Sequence, residues 1–179
     1  MDMTGSRHIA ASRKNVWAAL NDPEVLKQCI PGCESLEMQS PTDMTARVKL
    51  AIGPVKATFN GKVKLTDLDP PNGYRIAGEG SGGVAGYAKG SASVRLADEA
   101  DGTLMTYDVK ADVGGKLAQL GGRLIDSTAK KLADEFFEKF TTLVSDEMPV
   151  GAPGASAGAR KESWVKRWFG GRNRDAGGT

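Results

Sequence analysis

The chain has 179 residues and a mass of 18.9 kDa, enough for one domain with a modest appendage and too short for two full-sized ones. With 40% hydrophobic and 26% charged residues it can bury a real core, which excludes disorder throughout. No run of about 18 apolar residues occurs, so no spanning helix is expected. The opening Met1–His8 also lacks an apolar signal core, which makes cytoplasmic residence the expectation.

The net charge of +2 is unevenly placed. Residues 160–179 carry +4, whereas residues 1–159 carry −2. The two parts therefore read separately, as a slightly acidic domain and a basic tail. A net-negative domain without a basic face argues against nucleic acid as a partner.

A strand-like run over residues 3–10 opens the chain. Ser12 then reads as a helix cap ahead of Val16, Trp17 and Leu20, which share one helical face. Asp22-Pro23 starts a second short helix, with Asp22 as cap and Pro23 in the first helical position. From Glu34 the period becomes two. Met44, Ala46, Val48, Leu50 and Ile52 alternate with polar neighbours, then Val55 to Leu65 do the same beyond Gly53-Pro54. Three more strands are expected near residues 74–81, 87–97 and 104–113, separated by Gly82-Gly83 and by residues 98–102. Such a series makes an antiparallel meander with one wet face and one apolar face. From Lys116 to about Glu147 apolar residues recur at spacings of three and four, which predicts a helix of about 30 residues, roughly 45 Å long.

The order predicts an α+β layer, a curved antiparallel sheet wrapped around a long C-terminal helix, with two short helices after strand 1. Glycine supplies 23 residues, about 13% of the chain. Gly61, Gly78, Gly80 and Gly90, with Ala88 and Ala92, fall on the apolar sides of the strands. Side chains this small leave volume, so the expectation is a hollow interior. Its lining is expected from Val48, Leu50, Phe59, Val63, Ile76, Val94, Met105, Tyr107, Leu117, Leu120 and Leu124. The alternative is that these side chains pack on one another. Tyr87 or Tyr107 would offer a hydroxyl to a polar head group.

The opening Met3-Thr4-Gly5-Ser6-Arg7 and Gly78-Glu79-Gly80, together with residues 16–26, Ile30-Pro31-Gly32-Cys33-Glu34 and residues 117–123, carry a resemblance. They resemble the carbon monoxide dehydrogenase G-subunit family, of the START-like (SRPBCC) helix-grip superfamily, over residues 1 to about 146. The resemblance implies a helix-grip fold around a hydrophobic cavity. It further implies an accessory role beside a molybdenum hydroxylase such as carbon monoxide dehydrogenase, through membrane recruitment and binding of an isoprenoid quinone or lipid.

Catalytic signals are missing from the pattern. His8 is the one histidine, and no nucleophile accompanies it in sequence. Gly78-Glu79-Gly80-Ser81-Gly82-Gly83 matches a dinucleotide fingerprint, but a strand follows it where a helix is required. Gly114-Gly115-Lys116 lacks the remainder of a P-loop. Cys29 and Cys33 without histidine partners do not make a zinc site. No metal and no resident cofactor are expected; a quinone or lipid would be ligand.

Residues 148–159 are a Gly/Ala/Pro linker. Beyond it, Trp164, Val165, Trp168 and Phe169 would cover about 140° of a helical wheel, with Lys166 and Arg167 outside that arc. Exposed tryptophans beside basic residues are the pattern of an interfacial helix on an anionic inner leaflet. A merely soluble tail and a docking peptide for a partner protein remain open alternatives.

Overall fold

The computed structural model describes residues 1–145. The linker and tail expectations for residues 148–179 lie outside the described residues. Seven strands form one antiparallel sheet: β1 (Asp2–Ile9), β2 (Cys33–Ser40), β3 (Asp43–Ile52), β4 (Val55–Asp69), β5 (Gly73–Ser81), β6 (Tyr87–Glu99) and β7 (Gly102–Gly114). Their spatial order is β1-β7-β6-β5-β4-β3-β2, so every neighbour after the short helices is a hairpin partner, and β1 closes against β7. Buried Thr103 ties that closure, donating its hydroxyl to the Ala11 carbonyl at 2.7 Å.

Both helix caps form as the side chains dictate. Ser12 accepts from the Asn15 amide ahead of α1 (Arg13–Leu20), and Asp22 accepts from Glu24 ahead of α2 (Pro23–Cys29). The turn into β2 needs Gly32, whose φ is +75° and where a Cβ would stand 2.1 Å from the Lys49 carbonyl oxygen.

The C-terminal helix departs from the expected single rod. Gly115–Leu120 is a 3₁₀ turn, Gly121 takes φ 92°, and α3 (Gly122–Ser145) begins only beyond it. Leu117, Leu120 and Leu124 keep a helical spacing across this break, which is why sequence period alone joined the two pieces. A residue in the left-handed region cannot continue an α-helix. At 24 residues α3 spans about 36 Å.

Packing is concentrated at one end of the molecule. Ile9, Val16, Val25, Cys29, Leu65, Val94, Leu96 and Met105 close around Phe137, Phe140 and Val144 of α3. Phe136 and Phe140 stack there with ring centroids 5.6 Å apart. Trp17 meets Tyr74 edge-on at 5.2 Å.

Candidate functional site

The pleat turns Val48, Leu50, Phe59, Val63, Ile76, Val94, Met105 and Tyr107 toward α3, on the same face as the glycine and alanine positions of β4–β6. The structure divides this set. Val94 and Met105 are buried in the core, with Val63, Ile76 and Tyr107 packed against it. Val48, Leu50 and Phe59 keep accessible surface and stand apart from that cluster, as do Leu120 and Leu124 across from them.

The same division runs along α3. Its buried residues, Phe137, Phe140 and Val144, all lie in the C-terminal half. In the N-terminal half Leu124, Ile125, Thr128 and Leu132 form an apolar face of which no residue is buried. Opposite it, Ala92, Val109 and Val113 are likewise only half-buried. An interior packed to ordinary density would remove these facing surfaces from water. Here the facing side chains keep part of their surface accessible.

Three loops frame this open end. The β3–β4 turn touches α3, since a Cβ on Gly53 would meet Leu124 Cδ2 at 2.8 Å. Phe59 covers Gly82, and buried Leu117 sits beside Gly86, both within the β5–β6 connection. That connection contains a short 3₁₀ turn, Gly83–Ala85, and carries Val84 at 87% exposure.

Where the open half meets the core, a polar group stands. Arg7 projects from β1 over the Phe137 ring, 4.9 Å from its centroid, and pairs with Asp134 of α3. Tyr107 stacks on the same Phe137 ring, with centroids 5.2 Å apart, and its hydroxyl lies over Gly5, where no side chain would fit. The hydrogen bond to Asp134 and, next to it, the Tyr107 hydroxyl hold the Arg7 guanidinium protonated above its ordinary range. Tyr87, the other tyrosine considered for this role, points away. It sits on the outer face, half-exposed, with its ring over Gly114.

A cavity lies on the opposite side of the sheet. A trough of about 810 Å³ crosses the outer face of the sheet, walled by Asp43, Lys62, Lys64, Glu79, Lys89 and Lys110 above a floor of Gly78 and Gly90. It is open and carries both signs of charge, the wrong lining for an isoprenoid chain. A second hollow, about 600 Å³, follows α3 beside Arg7 and Phe137.

No group of three or more metal-ligating side chains gathers among the described residues. His8 is exposed and pairs with Glu99 at 2.5 Å, with no cysteine or serine beside it in that contact. Burial pushes the Cys29 thiol up to about 12, the opposite of an activated nucleophile. No described helix is long and apolar enough to cross a membrane.

A curved antiparallel sheet gripping a C-terminal helix over a partly open apolar interior defines the START-like, SRPBCC class of ligand-binding domains. Within it, the family model for the carbon monoxide dehydrogenase G subunit (CoxG) matches residues 5–145, and the chain belongs to that family. A conserved protein from Geobacillus kaustophilus is 32% identical, with a TM-score of 0.77 over 81% of this chain and 95% of that one. An uncharacterized protein from Rhizobium leguminosarum shares 15% identity at TM-score 0.62, covering 80% and 93%. A Streptomyces aromatase/cyclase shares 13% identity at TM-score 0.59, covering 84% and 96%, and shares the fold alone. No functionally curated protein matches the chain in sequence.

Proposed function

We propose that this protein is a non-enzymatic carrier for an isoprenoid quinone or a similar lipid, which serves a molybdenum hydroxylase of the carbon monoxide dehydrogenase type at the inner face of the cytoplasmic membrane. The observation that carries the reading is the only partly buried apolar face of the first half of α3, set opposite the equally half-buried Ala92, Val109 and Val113 of the sheet. The isoprenoid chain lies between Val48, Leu50, Phe59, Leu120 and Leu124, and the head group reaches inward toward Tyr107. Each buried methylene contributes about 0.8 kcal/mol, so an isoprene unit gains several kcal/mol inside and loses as much on leaving the bilayer. Exchange with a membrane is then close to balanced, as a carrier requires.

The tail supplies the tether in this reading, through Trp164, Val165, Lys166, Arg167, Trp168 and Phe169. The family supports the hydroxylase as partner. Organic extraction of the purified full chain, followed by mass spectrometry, tests the carrier role. We expect a co-purifying isoprenoid or lipid at a fraction of one equivalent or more; protein that is lipid-free and takes up no added quinone overturns it. A second reading, a recruitment adaptor without a ligand, draws support from the charged outer trough. It predicts hydroxylase binding without any quinone uptake.

A further inference from the structure

The ends of the sheet are electrically unlike. At one end, the turns over residues 40–43, 67–73 and 98–102 contain Asp43, Asp67, Asp69, Asp98, Glu99 and Asp101 and no Lys or Arg. Arg13, Arg75 and Arg95 and His8 answer part of that charge from the flanking strands and helix. At the other end, which frames the open interior, residues 50–58, 80–88 and 113–125 contain Lys56, Lys116 and Arg123 and neither Asp nor Glu. All three cations are exposed. Val84 stands at the tip of the connection between them with 87% of its surface in water. Gly83, Gly121 and Gly122 on this end bring the backbone to the surface without side chains, and none of them has a neighbour within 4 Å of a Cβ position.

An exposed aliphatic tip on a Gly-rich rim, at the pole of the domain whose loops carry Lys56, Lys116 and Arg123, is complementary to an anionic lipid surface. We infer that the folded domain itself docks this rim on an anionic bilayer, Val84 entering the head-group layer, so that the open interior faces the acyl chains. This deepens the carrier reading and rests on it: lipid then moves between bilayer and protein without crossing bulk water. The field orients the domain, because the acidic pole is repelled by the surface that attracts the rim.

The test places an environment-sensitive fluorophore at Val84→Cys in the full chain, on a Cys33→Ser background, since Cys29 is buried. A second protein carries it at Asp101→Cys, on the acidic pole. Each is mixed with vesicles of phosphatidylcholine alone or with phosphatidylglycerol. The inference expects a blue shift at position 84 with anionic vesicles, quenched by nitroxide lipids, and no change at position 101. Replacing Lys56, Lys116 and Arg123 by Gln should weaken the response by about fivefold per charge removed. An unchanged signal at position 84 while the protein co-floats with the same vesicles overturns it, leaving a tail-tethered domain whose rim meets a protein. An equal shift at both positions overturns it too, because the orientation is then wrong. Lipid extraction reads separately: bound lipid with a silent rim rejects docking alone, whereas docking without bound lipid rejects the carrier.

Discussion

Cys29 has no accessible surface, and burial raises its thiol from the ordinary value to about 12. Its folded pKa lies above its unfolded one, so its contribution is complete below about pH 8.5 and is lost as pH climbs toward 12. The buried Tyr74 phenol is shifted in the same direction by burial. Thermal melts from pH 7 to 11 should therefore show a falling Tm, and Cys29→Ala, although less stable at pH 7, should fall less steeply. A parallel decline in both proteins would assign the alkaline loss to other groups. Phe140, fully buried and stacked on Phe136, is the costliest core truncation. Phe140→Ala should lose about 3–5 kcal/mol, roughly 10 °C in Tm by calorimetry. Tyr107→Phe keeps the stacking on Phe137 while removing the one hydroxyl proposed to meet the head group. Quinone retention should drop by about 2- to 10-fold with little change in melting temperature.

Among the elements, the break before α3 offers a matched pair of substitutions. Gly121 has φ 92°, so Gly121→Ala forces a side chain into the left-handed region and should cost about 1–2 kcal/mol although the space around it is empty. Its neighbour Gly122 begins the helix with ordinary backbone and open space, so Gly122→Ala should be neutral or stabilise by up to about 1 kcal/mol. Chemical denaturation distinguishes the two, and equal effects would contradict the break. The sheet offers a different test. Ala88, inward and half-buried between Gly80 and Val113, faces the open half of the interior. Ala88→Leu should leave stability within about 0.5 kcal/mol, whereas the same change in a packed core costs about 1–3 kcal/mol. In the carrier reading it also displaces bound lipid.

For the whole molecule, the distribution of packing matters more than its amount. The aromatic cluster on the C-terminal half of α3 anchors α1, α2 and the sheet, which frees the other end from any structural need to close. Strength at one pole permits an opening at the other. The two poles also differ in charge, so a single axis runs from the acidic turns through the core to the basic, glycine-rich rim.

The alternation from Met44 through Leu65, the caps at Ser12 and Asp22, and the turn glycines were legible in the residues themselves, because period and local hydrogen bonding depend only on near neighbours. These determine the meander, the short helices and which side chains face inward. The family likewise follows from short motifs. Tertiary structure alone decided that Val94 and Met105 are core while Leu50 and Phe59 border an opening, since all four share one period and one face. It also decided that the leucines around Gly121 belong to two helical pieces. The pairing of Arg7 with Asp134 across 127 residues, and the gathering of three distant loops into one basic rim, arise from closure of the sheet around the helix. No local pattern encodes contacts made at such separation.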